Sequence, residues 1–199
     1  MLKKVVTGIA IGCVLGLLVL AVGAQEQKQP TEKEMQAMMA AATPGPHHTE
    51  LMKSAGTYDV TVKAMMPGAP PMEATGTATI EGILDGRFIV ESMKSPNFMG
   101  GPWEGRGIYG YDNTLKKHVG SWCDSYGTML MSLAGTCDGT CKVVTLTSNF
   151  VDPMTNTTKT MKAVSKEISV DEFVLELSDV EKGGKETKVM EINYKRKKP

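Results

Sequence analysis

The chain has no excess of charge of either sign: 22 Lys and Arg stand against 22 Asp and Glu. That balance gives no electrostatic sign of a nucleic-acid partner, and the one basic cluster, Lys195 to Lys198, is a C-terminal run of the kind that is ordinarily a solvated end. Histidine is scarce, three residues with none after His118. The four cysteines include no second pair, and no histidine stands at zinc-finger spacing from Cys137 and Cys141, so no metal site and no cofactor are expected. Neither a nucleophile elbow nor a zinc-protease helix is spelled out, which leaves no catalytic constellation to build on.

Long hydrophobic runs are also absent, with one exception. Lys3 and Lys4 are followed by an apolar run from Val5 to Val22 that ends in Val22-Gly23-Ala24, small residues where a signal peptidase cuts. Cleavage after Ala24 makes residues 1–24 a signal peptide and the product periplasmic or secreted, slightly acidic and without stable membrane insertion. The competing reading is an uncleaved anchor, since the run approaches the roughly 20 apolar residues that span a bilayer. A lipoprotein-like box before Cys13 is a minor alternative, because the apolar run continues past it. Cys123, Cys137 and Cys141 would survive cleavage into a compartment where disulfides persist. Cys137 and Cys141 flank Asp138-Gly139-Thr140 and reach bonding distance if the hairpin loop has three residues; with a two-residue Asp138-Gly139 turn they are only diagonal.

Residues 25–46 read as a linker ending in Thr43-Pro44-Gly45-Pro46. Within it Thr31 and Glu34 form a capping-box pattern, and Met35, Met38 and Met39 recur at helical spacing, so a short amphipathic helix is expected to pack on the domain or on a partner. His47 to Ser54 reads as another helical turn. Residues 47–199 then form a domain of short runs rich in Val, Ile, Thr, Tyr and Phe. Strands are expected near 57–65, 72–84, 87–94, 103–111, 117–124, 127–137, 141–150, 157–168, 172–179 and 186–195. Asp85-Gly86, Asp112-Asn113, Asp138-Gly139, Asp152-Pro153 and Lys182-Gly183-Gly184 supply turns, and none leaves room for a crossover helix. The fold expected is all-β, an up-and-down antiparallel barrel of about ten strands, since closure removes two long sheet edges.

Gly56-Thr57-Tyr58 resembles the opening motif of lipocalin-like and nitrobindin-like barrels, with Tyr where Trp is usual. From Pro44 onward the chain is similar to the bacterial domain-of-unknown-function 1579 family through Pro67-Gly68-Ala69-Pro70-Pro71-Met72-Glu73, Gly86-Arg87-Phe88, Glu104-Gly105 to Gly110-Tyr111-Asp112, Ser121-Trp122, Asp124-Ser125, Gly127-Thr128, Asp138-Gly139 and Asp152-Pro153-Met154-Thr155. The resemblance implies a lipocalin-like β fold and no assigned activity. The nitrobindin likeness raises haem, which in that family takes a His near the C-terminus; this chain has none there, and Tyr194 reads as packing.

Gly105 to Gly110 spells G-x-G-x-x-G but lacks the following helix of a phosphate site, so its glycines read as strand positions that permit bending. The 15 methionines are soft enough for Cu(I) but do not cluster convincingly: Met35, Met38 and Met39 form the helical stripe, while Met129, Met131 and others alternate like core residues. By period-2 geometry His118, Gly120, Trp122 and Asp124 share one face, as do Arg87, Ile89 and Glu91. If these faces point inward, Arg87, Glu91, Trp122 and Asp124 line a mixed cavity; if outward, they are solvated surface. Three functions follow: a small, partly apolar ligand in the barrel interior; a non-enzymatic interaction or scaffold protein with a filled core; and an enzyme using Glu91, Glu104 or Asp124. No oligomeric state is read from the sequence.

Overall fold

The structure is a computed structural model that describes residues 29–66 and 68–198. The expected signal peptide, its cleavage site and Cys13 lie outside the described residues. Helix α1 (Glu32–Ala42) starts at the Thr31/Glu34 capping box, in which both reciprocal hydrogen bonds are made. Helix α2 (Pro46–Met52) starts with Pro at its first position, where a missing N–H costs nothing, and the Nδ1 of buried His48 accepts from the Gly45 N–H.

Ten strands follow: β1 (Gly56–Ala64), β2 (Met72–Ile83), β3 (Phe88–Phe98), β4 (Gly101–Asp112), β5 (Lys117–Asp124), β6 (Met131–Cys137), β7 (Val143–Asp152), β8 (Thr157–Ser169), β9 (Glu172–Val180) and β10 (Glu186–Arg196). Each pairs antiparallel with its neighbour in sequence, and β1 closes on β10 from Tyr58↔Arg196 to Ala64↔Met190. This is the up-and-down barrel, with no free edge. Two boundaries differ from the sequence reading by four residues, the others by two or fewer. Strand β3 runs on through Pro96 because its pairing with β4 is interrupted between Ser95 and Phe98, where no N–H is needed. Strand β6 starts at Met131, since the Asp124 carboxylate accepts from the Tyr126 N–H and turns the chain away from the sheet.

The register fixes the inward faces. Tyr58, Val60, Val62 and Ala64 of β1 meet Ala74, Ala78 and Ile80 of β2, Ile89 and Met93 of β3, and Ile192 and Tyr194 of β10 in one buried cluster. Each Val or Met buried there contributes about 1.5–3 kcal/mol. The barrel's two ends are unlike. At the first, where β1 begins, Leu51 and Met52 of α2 pack on the core, and Arg196 donates to the Ala55 and Lys53 carbonyls while lying 4.9 Å over the Tyr58 ring. At the other end the inward residues Met72, Trp103, Trp122, Met131, Met161, Leu177 and Met190 are only partly buried, with Met72, Trp103, Trp122 and Met190 packed on the edge of the core.

Candidate functional site

Glu91 is the inward residue of β3 opposite Gly107 of β4, and it is 6 % exposed. Its Oε1 accepts a 2.8 Å hydrogen bond from the Tyr194 hydroxyl, which reaches it from β10, with β1 and β2 between the two strands in the sheet. The Tyr194 hydroxyl also lies 3.9 Å from the Met93 sulfur. Among the described residues no cation pairs with Glu91. Burial therefore pushes its carboxyl up to about 7, only partly offset by the Tyr194 hydrogen bond. Burial, and then the nearby Glu91 charge, push the Tyr194 and Tyr109 phenols up. A carboxyl near 7 beside two neutral phenols can accept or donate a hydrogen bond, and it can hold a ligand's donor or cation.

Glycines shape the wall around this group. A Cβ on Gly107 or Gly120 would collide with the Tyr109 ring, and one on Gly105 with the Trp122 ring, so the absence of side chains there lets two aromatic rings lie across the interior. The sequence run read as bending glycines is an ordinary part of strand β4, and close approach of rings is what requires them. Trp122 stacks on Trp103 with centroids 6.1 Å apart. Ser148, inward on β7, has a buried Oγ without a partner.

The four residues proposed from period-2 spacing are not brought together. Glu91 and Trp122 point inward. Arg87 lies in the β2–β3 turn, where its guanidinium donates to the Leu84 and Ala42 carbonyls and pairs with Asp85 at 3.8 Å. Asp124 ends β5 at the rim and spends an oxygen on its own turn. Glu104 is outside, paired with Lys94 at 3.4 Å. A concavity of about 880 Å³ also lies outside, an open trough over β1 to β4 lined by exposed Thr61, Thr75, Thr77 and Lys94. It carries no buried polar group aimed into it beyond Ser95, whose hydroxyl is spent on the Thr75 carbonyl.

A second polar group sits at the helix-capped end. His47 of α2 stacks on Tyr111 at 4.0 Å between centroids, and His118 of β5, 5 % exposed, lies 5.4 Å from His47 with its Nε2 unpartnered. Desolvation, then the neighbouring histidines, lower the His118 pKa. The β6–β7 connection spans five residues, 138–142, so neither a two- nor a three-residue loop is formed. Cys141 doubles back within it, its Cα 4.8 Å from that of Cys137, and the two sulfurs are joined. Cys123 is exposed and unpaired.

The sequence profile of a family described as a protein of unknown function, DUF1579, matches residues 43–196. The chain belongs to the DUF1579 family. No curated protein matches it. Among solved structures, the DUF1579 barrel resembles Rv2717c from M. tuberculosis, at 15% identity and a TM-score of 0.56, over 78% of this chain and 100% of that one. A redesigned β-barrel aligns over 78% of this chain and 100% of its own at 11% identity and a TM-score of 0.41. At 15% identity the likeness to Rv2717c is one of fold alone. What spacing along this DUF1579 chain does not reveal is the meeting of His47 and His118 with the cysteine pair; the signal was the β5–β6 register, which sets His118 opposite Gly135, the inward neighbour of Cys137.

Proposed function

We propose that the barrel binds a small, partly apolar molecule in its interior, with the polar group held by Glu91 and Tyr194 and the apolar part lying toward the open end. The observation that carries this reading is a carboxyl buried without a cation inside a barrel whose opposite end stays lined by only partly buried apolar side chains. An uncompensated buried carboxyl is destabilising, and a binding site is the setting in which that cost has a use. Methionines at four of the mouth positions suit a lining that adapts to its guest. Export to the periplasm or beyond, through the N-terminal segment, belongs to the same proposal.

Native mass spectrometry of the protein, produced in a bacterial host with its own leader and never exposed to denaturant, tests it. The expected result is a reproducible adduct whose occupancy falls in Trp122→Ala and Glu91→Leu and is unchanged in Arg87→Ala, which lies outside the barrel. A bare chain mass, together with no uptake of a neutral environment-sensitive fluorophore, overturns it. A second reading, an interaction protein, rests on α1: Met35, Met38 and Met39 do not pack on the barrel but stay more than half exposed. Deleting residues 25–43 would then abolish partner capture while leaving the adduct.

A further inference from the structure

Four side chains that could ligate a metal converge at the helix-capped end from three separate parts of the chain. His47 comes from α2, His118 from β5, and Cys137 and Cys141 from the end of β6 and the connection after it; one ligand atom from each lies within 4.8 Å of the others. We propose that, with Cys137 and Cys141 present as a dithiol, these four side chains bind one zinc ion in a tetrahedral site of two nitrogens and two sulfurs.

The donor set is the first argument. Two thiolates and two imidazoles are a preferred zinc environment, and the three residues between Cys137 and Cys141 fall within the spacing that zinc-binding cysteine pairs use. Geometry is the second. Zinc–sulfur and zinc–nitrogen bonds of about 2.3 and 2.0 Å place tetrahedral sulfur and nitrogen ligands about 3.5 Å apart. His47 Nδ1 lies 3.2 Å from the Cys141 sulfur and 3.7 Å from the Cys137 sulfur. The third is His118, a buried imidazole whose Nε2 has no partner although a ring nitrogen stands beside the other three ligand atoms. Buried ring nitrogens without partners are uncommon, and a metal ligand is one of the settings that account for them. Stacking on Tyr111 holds the His47 ring, so the nitrogen facing the sulfurs is positioned before any ion arrives.

The sulfurs are joined in the structure, so binding requires the bridge to open. A dithiol reductant delivers two electrons and two protons and leaves as its own disulfide, giving two thiols; zinc then displaces both thiol protons to solvent and takes the two imidazoles in their neutral form. The ion would tie α2 to β5 and to the β6–β7 connection. Those strands form the two shortest ladders of the barrel, β5–β6 and β6–β7, and α2 otherwise rests chiefly on β3 and β4. Zinc would thus fasten the second side of the helix that caps this end. The site is independent of any ligand in the interior.

The test is titration of the full-chain protein, reduced with a phosphine under anaerobic conditions, first with Co(II) and then with Zn(II). One equivalent of cobalt is expected to give the intense visible bands of tetrahedral Co(II) with a thiolate charge-transfer band, both abolished by one equivalent of zinc. His47→Gln and His118→Gln are each expected to weaken zinc binding by more than about 100-fold, above what losing a supporting group costs. His47 lies on the short helix outside the barrel wall, so its variant keeps the test decisive if His118→Gln does not fold. A weak octahedral cobalt spectrum from the reduced protein, zinc binding by Cys141→Ser as tight as in the wild type, or equal binding by oxidised and reduced protein each overturns the proposal.

Discussion

Replacing Glu91 by Gln should remove a specific part of the pH dependence of stability. In the unfolded chain Glu91 ionises near its ordinary 4.5, whereas in the folded barrel it ionises at about 7. Below 4.5 both states carry the proton and the group contributes nothing. Between 4.5 and about 7 the folded state binds more protons than the unfolded one, so stability falls as pH rises, and above 7 the loss is complete. The gap corresponds to about 3 kcal/mol, or about 1.5 M in urea midpoint for a slope of about 2 kcal/mol per molar. His118, lowered by burial, acts in the opposite sense over part of the same range, since it resists the proton that the unfolded chain accepts. Asp152, held down by Lys159, and Glu176, held down by Lys166 and Lys188, lose their contributions only in more acidic solution. The difference between wild type and Glu91→Gln isolates the one group, because the amide oxygen still accepts from Tyr194. Urea unfolding of both proteins at steps from pH 4 to 8 is the assay. The variant should gain on the wild type by about 3 kcal/mol between the two ends of the window. A difference curve that stays flat would refute the claim that Glu91 is buried without a counter-charge.

Gly120→Ala places a methyl against the Tyr109 ring and the Ile108 carbonyl, and calorimetry should show a destabilisation of about 1–3 kcal/mol if those glycines exist to admit the ring; an unchanged melting temperature would contradict that account. Asn113→Ala removes the Nδ2 bonds to the Ala40, Ala41 and Thr43 carbonyls that hold the end of α1. Proteolysis within residues 29–43 should then accelerate while the barrel loses no more than about 0.5 kcal/mol; equal cleavage rates would show that α1 is held by something else.

The barrel was legible because its determinants are local. Alternation in Tyr58, Val60 and Val62 assigns the inward face of β1, and turn residues such as Asp112-Asn113 limit each connection to a hairpin, which leaves a meander that must close. Errors arose where a tertiary bond overrides texture. Residues 127–130 have strand-like composition at Met129 and Leu130, yet the Asp124 turn carries them off the sheet. The strand expected to stop at 94 runs on to Phe98, since Pro96 falls at an interruption in the ladder. Arg87 shares sequence parity with Glu91, but parity has meaning only within a strand, and the turn from Leu84 ends at Arg87 itself.

The two polar sites were hidden for different reasons. Glu91 faces inward on the same strand whose outward Lys94 pairs with Glu104, and a charged residue looks alike in either position until the register is known. His47 and Cys141 are 94 residues apart, so no local spacing can join them. Both sites follow from one asymmetry of the barrel. At the end where β1 begins, α2, Arg196 and stacked aromatic rings exclude water, which is what raises Glu91 and leaves His118 without a partner. At the other end Met72, Met131, Met161 and Met190 stay partly exposed among the described residues. On the proposed reading a guest admitted there would meet an apolar wall first and the carboxyl last, so the interior would select molecules with a polar head and an apolar tail over molecules polar at both ends. Loss of binding should therefore follow the head in Glu91 variants and the tail in Trp122 variants.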